Sequence, residues 1–290
     1  MSIKSCKAPD PNPKVPATKL PPGACDAHCH VFGPADRFPY APDRSYTPPD
    51  APVEDLRRLH RILGIERAVI VQASCHGTDN AAMLDAIASS EGAYRGVAIV
   101  DGTVTDADLE ELDRGGVRGV RFNFVKHLGG TPDLDVFDRV LDRIQPLGWH
   151  VVLHLDAGDI LEHAERIRRI RVPFVIDHMG RVQAKNGLEQ EPFRRLLELM
   201  RNELAWVKVC GPERVSSAGA PFHDAVPFAA QLIEAAPDRC LWGTDFPHPN
   251  ISGDMPNDGD LVDLLALAAP DAAVRQRILV GNPDRLYWAG

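Results

Sequence analysis

From about residue 23 onward, short runs of apolar or β-branched residues alternate with stretches in which apolar positions recur at helical spacing. The short runs fall at 25–32, 68–73, 96–100, 119–124, 150–155, 174–177, 206–209 and 240–243, and each is the length of a buried strand. Between and after them the helical pattern covers 53–63, 80–91, 106–114, 134–147, 160–170, 192–201, 226–236 and 260–268. Several of these stretches begin at or just after Asp or Asn, which favours a helix start. Eight strand-then-helix units in this length predict an α/β fold, a single (β/α)8 barrel over 23–290, with a large open α/β sheet as the alternative. Residues 1–22 show no such periodicity and carry Pro9, Pro11, Pro13, Pro16, Pro21 and Pro22. They are expected to form an extended arm, on the surface or partly disordered.

Composition narrows the function. Of 290 residues, 44% are hydrophobic and 25% charged, enough apolar material for one large core. Lys plus Arg number 32 against 41 for Asp plus Glu, a net charge of −9, so a nucleic-acid partner is not expected. No apolar run reaches the roughly 18 residues of a membrane span or resembles a signal peptide, so a cytoplasmic protein with no membrane partner is expected. Six scattered cysteines without a CxxC pair suit free thiols.

In a (β/α)8 barrel, side chains at the C-terminal strand ends share one mouth. Strand alternation places His28 and His30 of DAHCH on one side, inside the barrel, with Ala27 and Cys29 on the other. Two adjacent buried imidazoles need a metal, a substrate or hydrogen-bond partners. His154 ends the fifth predicted strand and shares a face with Asp156, while His178 and Arg181 follow the sixth. Asp245, directly after the eighth, is the foremost candidate for proton transfer. Arg121 in the fourth strand needs a counter-charge, either an anionic substrate or an internal carboxylate. Ser74 and His76 lie in a polar turn after the second strand and are candidate substrate contacts. His60, His150 and His163 read as surface or packing residues. The convergent set suits metal-assisted or acid/base hydrolysis.

The segments DAHCH, VIVQASCHGTDNAAMLDAIA, GVRGVRFNF, VIDHMGR, WGTDFPHPN and NPDRLYW together resemble the amidohydrolase superfamily and, within it, the 2-pyrone-4,6-dicarboxylate lactonase group, from about Pro21 to the C-terminus. That resemblance implies a distorted (β/α)8 barrel that hydrolyses a small anionic lactone during breakdown of aromatic compounds. It implies Asp245 as general base, His28, His30 and His178 around the lactone carbonyl, and Tyr46, Ser74, His76, Arg121, Arg181 and Arg214 as substrate contacts. His127 stands where the group's best-known type has a second arginine, and His154 where it has a tyrosine. The resemblance requires no cofactor. Yet His154 supplies the ligand type that metal-dependent members use, so His28, His30, His154 and Asp245 form a candidate site for one divalent ion, zinc or manganese. A decarboxylase or a metal-dependent hydrolase of the same superfamily, and a binding barrel without catalysis, are the competing readings. The oligomeric state is left open.

Overall fold

The computed structural model describes residues 3–251 and 253–289. Eight strands, all parallel and in sequential order, form its main sheet: Cys25–Cys29, Arg67–Val71, Tyr94–Ala98, Val117–Asn123, His150–His154, Phe174–Ile176, Ala205–Lys208 and Cys240–Leu241. These are called the first to eighth strands below. The first and eighth do not pair as a regular ladder. Instead the Ala27 N–H donates to the Trp242 carbonyl at 2.8 Å, the Asp245 N–H to the His28 carbonyl at 2.7 Å, and the His30 N–H to the Phe246 carbonyl at 2.8 Å. These bonds satisfy the edges that an open sheet would expose, and they leave a distorted, nearly closed barrel.

A second buried carboxylate reinforces the seam. Asp26 accepts from the Thr244 N–H at 3.0 Å and the Thr244 hydroxyl at 2.6 Å, and His60 on helix Val53–Leu63 reaches it at 3.1 Å. The backbones approach so closely here that a Cβ on Gly243 would sit 2.5 Å from the His28 nitrogen.

Two apolar layers follow from strand alternation. Cys25, Ala27, Val69, Val71, Val97, Val152, Val175, Trp206 and Leu241 fill the barrel interior around Tyr287. Residues such as Ile70, Val120, Leu153, Phe174 and Ile176 face outward and pack under the helices. The expected inside–outside pattern of the first strand needs one correction. Ala27 points inward, because the register slips between Asp26 and Cys29 and the bulge resets the alternation. His28 and His30 still share the interior, and Cys29 faces out as expected.

Helices occupy the predicted intervals with small shifts at their ends, except that 160–170 is broken into Ala157–Glu162 and Ala164–Arg168. Beyond the expected elements, the chain ends in helix Ala272–Gln276 and two π-helical turns that deliver Tyr287 to the barrel floor. His60, His150 and His163 are all buried, so none lies on the surface, and His60 also braces the Asp26 carboxylate at the seam. His150 sits inside the barrel, its ring edge-on to Tyr287 at 5.0 Å between centroids.

The N-terminal segment runs over the outside of the barrel. Lys4–Ser5 pairs in parallel with Tyr46–Thr47, and Lys14 binds Asp260 at 2.6 Å. The Ala17 and Thr18 N–H groups donate to the Asp263 carboxylate. All six cysteines are free thiols, five of them buried. No helix among the described residues is long and apolar enough to cross a membrane.

The seam makes a stability prediction. Gly243→Ala forces the first and eighth strands apart and is expected to cost about 1–3 kcal/mol, read as a lowered Tm in thermal unfolding. An unchanged Tm would show that the seam tolerates a side chain there.

Candidate active site

The strand ends bring the expected residues to one side of the barrel. Asp245 stands at the centre, its φ of 63° turning the backbone sharply after the eighth strand. Its Oδ1 lies 3.2 Å from His30 Nε2, 3.5 Å from His28 Nε2 and 3.9 Å from His178 Nε2. Its Oδ2 is held by Arg214, with Nη2 at 2.5 Å and Nε at 3.0 Å. His178 also has positive φ, at 49°, in a left-handed turn that continues through Met179, Gly180 and Arg181. Such a run is costly for residues other than glycine, about 1–2 kcal/mol each, and persists where the surroundings fix it.

A small cavity of about 20 Å3 lies over this group, lined by His30, His178, Asp245, Tyr46, Ser74, Arg121, His127, His154 and Arg214, with Leu128, Pro249 and Asn250. A larger cleft of about 470 Å3 adjoins it, sharing Arg214 and Asn250 and adding Arg181, Gln183 and Glu213. Most of the residues expected in the mouth are therefore assembled there. His28 lies beneath them, fully buried.

Three expected substrate contacts are already engaged with the protein. His76 braces the loop before it, donating from Nδ1 to the Pro39 carbonyl at 3.1 Å and accepting the Gly33 N–H on Nε2, so it does not line the cavity. Arg121 takes the internal-carboxylate alternative, with Nε and Nη2 both 2.9 Å from Asp177 Oδ2, although it also lines the cavity. Arg181 binds Asp156 at 2.6 Å and faces the larger cleft, where its Nη1 is buried without a partner.

Two central residues are absent from the sequence-based set. Lys208, on the seventh strand, is completely buried, with Nζ 2.8 Å from His28 Nδ1 and 3.2 Å from Asp177 Oδ1. Asp177 is the buried carboxylate that links Lys208, Arg121 and His28. A lysine at an inward position of an apolar strand, two residues after the inward Trp206, is the signal that points to Lys208.

Burial sets the protonation states, and neighbouring charges modify them. For His28, burial and then Lys208 push the pKa down to about 4. Burial likewise lowers His178 and His154, with Arg121 adding to the effect on His154. For Asp245, burial alone would raise the pKa, but Arg214, His178, His30 and His28 outweigh it and hold the carboxyl well below its usual range. Asp177 behaves in the same way, with Lys208 the strongest of the opposing charges. The ionised carboxylates of Asp245 and Asp177 are therefore set against neutral imidazoles at His28, His154 and His178.

Hydrogen bonds assign the imidazole tautomers. His30 Nδ1 donates to the Val71 carbonyl at 2.8 Å, and its Nε2 meets Asp245 Oδ1 at 3.2 Å. His154 Nδ1 lies 2.9 Å from Asn123 Oδ1, and its Nε2 is buried without a partner. His28 Nδ1 faces the Lys208 ammonium, which has no lone pair to offer, so His28 carries its proton on Nε2.

These assignments test the site for a metal. One atom each from His28, His178 and Asp245 lie within 4.8 Å of one another, close enough to hold an ion. His178 takes part where His30 and His154 were expected to. The hydrogen bonds, however, do not suit a cation. The Nε2 of His28 carries a proton instead of a lone pair, and Arg214 already occupies one oxygen of Asp245.

A parallel (β/α)8 barrel thus gathers imidazoles at its first, fifth and sixth strand ends and a carboxylate after the eighth. The amidohydrolase family pattern matches residues 25–288, and the chain belongs to that family. It is 48% identical to a 2-pyrone-4,6-dicarboxylate hydrolase of Comamonas testosteroni, over 96% of this chain and 94% of that one. It is 44% identical to a 4-sulfomuconolactone hydrolase of Hydrogenophaga intermedia, over 92% and 89%. A crystal structure of an Agrobacterium tumefaciens protein in its apo form, 31% identical, superposes with a TM-score of 0.81 over 95% of this chain and 99% of that one.

The buried neutral histidines predict acid sensitivity. An unfolded histidine takes up its proton near pH 6.5, whereas folded His28 does so near 4 and folded His150 near 3. Between those values the unfolded chain binds more protons, so stability rises with pH across the window and is lost as pH falls below 6.5. Each of the two is expected to cost on the order of 2 kcal/mol at pH 5. Thermal unfolding between pH 7.5 and 5 measures this, and a flat Tm would contradict it.

Proposed function

We propose that the protein is a hydrolase that opens the ring of a small carboxylated lactone, 2-pyrone-4,6-dicarboxylate or a close analogue. The observation that carries this reading is the Asp245 carboxylate set against three imidazoles at the base of a cavity rimmed by arginines. Hydrolysis of an ester needs a base for water and donors for the carbonyl oxygen. An anionic substrate also needs fixed positive charge, which Arg121, Arg181 and Arg214 offer.

In this reading water lies between Asp245 and the lactone carbonyl carbon. Asp245 takes one proton as the oxygen adds to carbon, and negative charge builds on the carbonyl oxygen. Donors such as the Nε2–H of His28 stabilise that charge. The intermediate collapses by breaking the ring C–O bond, and the ring oxygen leaves with the proton that Asp245 held. The products are a hydroxyl or enol and a carboxylic acid on one open chain, and the acid releases its remaining proton to solvent to become a carboxylate.

The pairing of Asp245 with Arg214 bears on activation. A carboxylate held at 2.5 Å by a guanidinium is a poor base, because the ion pair stabilises its ionised form. A substrate carboxylate entering from the larger cleft competes for Arg214, and as that pair loosens Asp245 becomes more basic. Binding of the anion and activation of water are thereby linked. His127, in place of an arginine, offers a weaker hold than a permanently charged fork, and this favours lactones with one carboxylate or with acid groups differently placed.

A decarboxylase would release CO2 from the same substrates, and a binding barrel would turn nothing over. A panel of carboxylated lactones, followed by ultraviolet absorbance and by proton release with and without a chelator, separates these outcomes. Asp245→Asn is expected to lower kcat by at least about 10²–10⁴-fold while substrate affinity stays within a few-fold. Full turnover in that variant would remove Asp245 as the base.

A further inference from the structure

We propose that Lys208 is a positioning residue that donates to Nδ1 of His28, holds the ring in its Nε2–H tautomer, and so makes this histidine a hydrogen-bond donor to substrate instead of a metal ligand. The identity of the acceptor, a lactone carbonyl, rests on the function proposed above. The tautomer does not.

Lys208 Nζ, His28 Nδ1 and Asp177 Oδ1 form a buried triangle with sides of 2.8, 3.2 and 3.2 Å. Only the lysine–histidine side is aligned as a hydrogen bond, and Asp177 Oδ1 has no aligned partner. Asp177 is the counter-charge beside the lysine, and an ammonium group can only donate. The proton of the neutral ring is thereby placed on Nε2, 3.5 Å from Asp245 Oδ1 and buried without a hydrogen-bond partner. A buried N–H beside the proposed base is placed to donate to an acceptor, and a polarised carbonyl is one.

The neighbouring His30 has both ring nitrogens engaged, Nδ1 with the Val71 carbonyl at 2.8 Å and Nε2 with the Asp245 carboxylate at 3.2 Å. Joint coordination of a cation through Nε2 of His28 and His30 would need a lone pair on both, and the His28 Nε2 carries a proton instead. Lys208 accounts for that tautomer. Without it, the nearest partner for His28 Nδ1 is Asp177, 3.2 Å away and within reach of a small ring rotation. That contact would be a carboxylate–histidine pair, the arrangement that orients histidine toward a metal.

The test uses the full-length protein with 15N-labelled histidine, assigned by comparison with a His28→Gln sample. Long-range 15N–1H correlation is expected to show wild-type His28 protonated on Nε2, and Lys208→Met to move that proton to Nδ1. In calorimetric titration with zinc chloride, Lys208→Met is expected to bind zinc about 10–100-fold more tightly than wild type. Its kcat on the best lactone of the panel is expected to fall roughly 10²–10³-fold with KM within a few-fold. An Nδ1–H tautomer in wild type overturns the proposal, and so does a Lys208→Met protein that keeps both the wild-type tautomer and the wild-type zinc affinity. Should Lys208→Met fail to fold, the wild-type spectrum decides alone. Tautomer and zinc affinity are read without substrate, so a protein that hydrolyses no lactone would refute the proposed function and leave this inference standing.

Discussion

The ion cluster inside the barrel, Asp177 between Lys208 and Arg121, is the constraint on which the rest of the site depends. Three charges from the fourth, sixth and seventh strand ends are removed from water together, and none could remain there alone. Breaking one member would leave an uncompensated buried charge, a loss of about 3–5 kcal/mol. The cluster therefore fixes the relative positions of three strand ends more tightly than apolar contacts would. His28 sits directly against it, and through His28 the cluster reaches Asp245.

A second network makes the barrel a closed frame for that cluster. The first and eighth strands are too irregular to share a ladder, so Asp26, Thr244 and three backbone bonds hold them together. This seam carries both His28 and Asp245 within a few residues. The distortion has a use: the bulge in the first strand turns Ala27 inward while keeping His28 and His30 in the interior, and the turn after Thr244 aims Asp245 between them.

Much of this was legible in the sequence, and the remainder was hidden for identifiable reasons. Alternation of short apolar runs with amphipathic stretches located all eight strands, because burial on both faces leaves a continuous apolar signature. Polar residues directly after those runs, such as His178 and Asp245, were legible for the same reason. Ala27 was misplaced because a bulge leaves no local mark in a five-residue strand. Lys208 and Asp177 stayed hidden because each is a single polar residue whose meaning appears only when strands distant in sequence become neighbours. The pairings of Arg121, Arg181 and His76 were hidden similarly: a sequence shows that a buried arginine needs a partner and does not show which one it finds.

The net charge of −9 might suggest a cationic ligand, but burial sorts the charges differently. Acidic side chains such as Asp106, Asp138 and Glu165 pair at the surface, where water screens them. Lys208, Arg121 and Arg214 are buried, where fields are weakly screened, and their influence extends to the histidines. His28 feels Lys208, His154 feels Arg121, and His127 feels Arg181 and Arg214, each pushed further toward the neutral form that burial already favours. A neutral imidazole beside a fixed cation can still donate a hydrogen bond, and its proton stays in place at ordinary pH. The positive charge of the site is thus carried by lysine and arginine, while His28, His127 and His154 are left as oriented dipoles. In the proposed lactone hydrolysis that division of labour would let the protein's own cations stabilise an oxyanion, and it lets a histidine-rich barrel mouth be organised around hydrogen bonds.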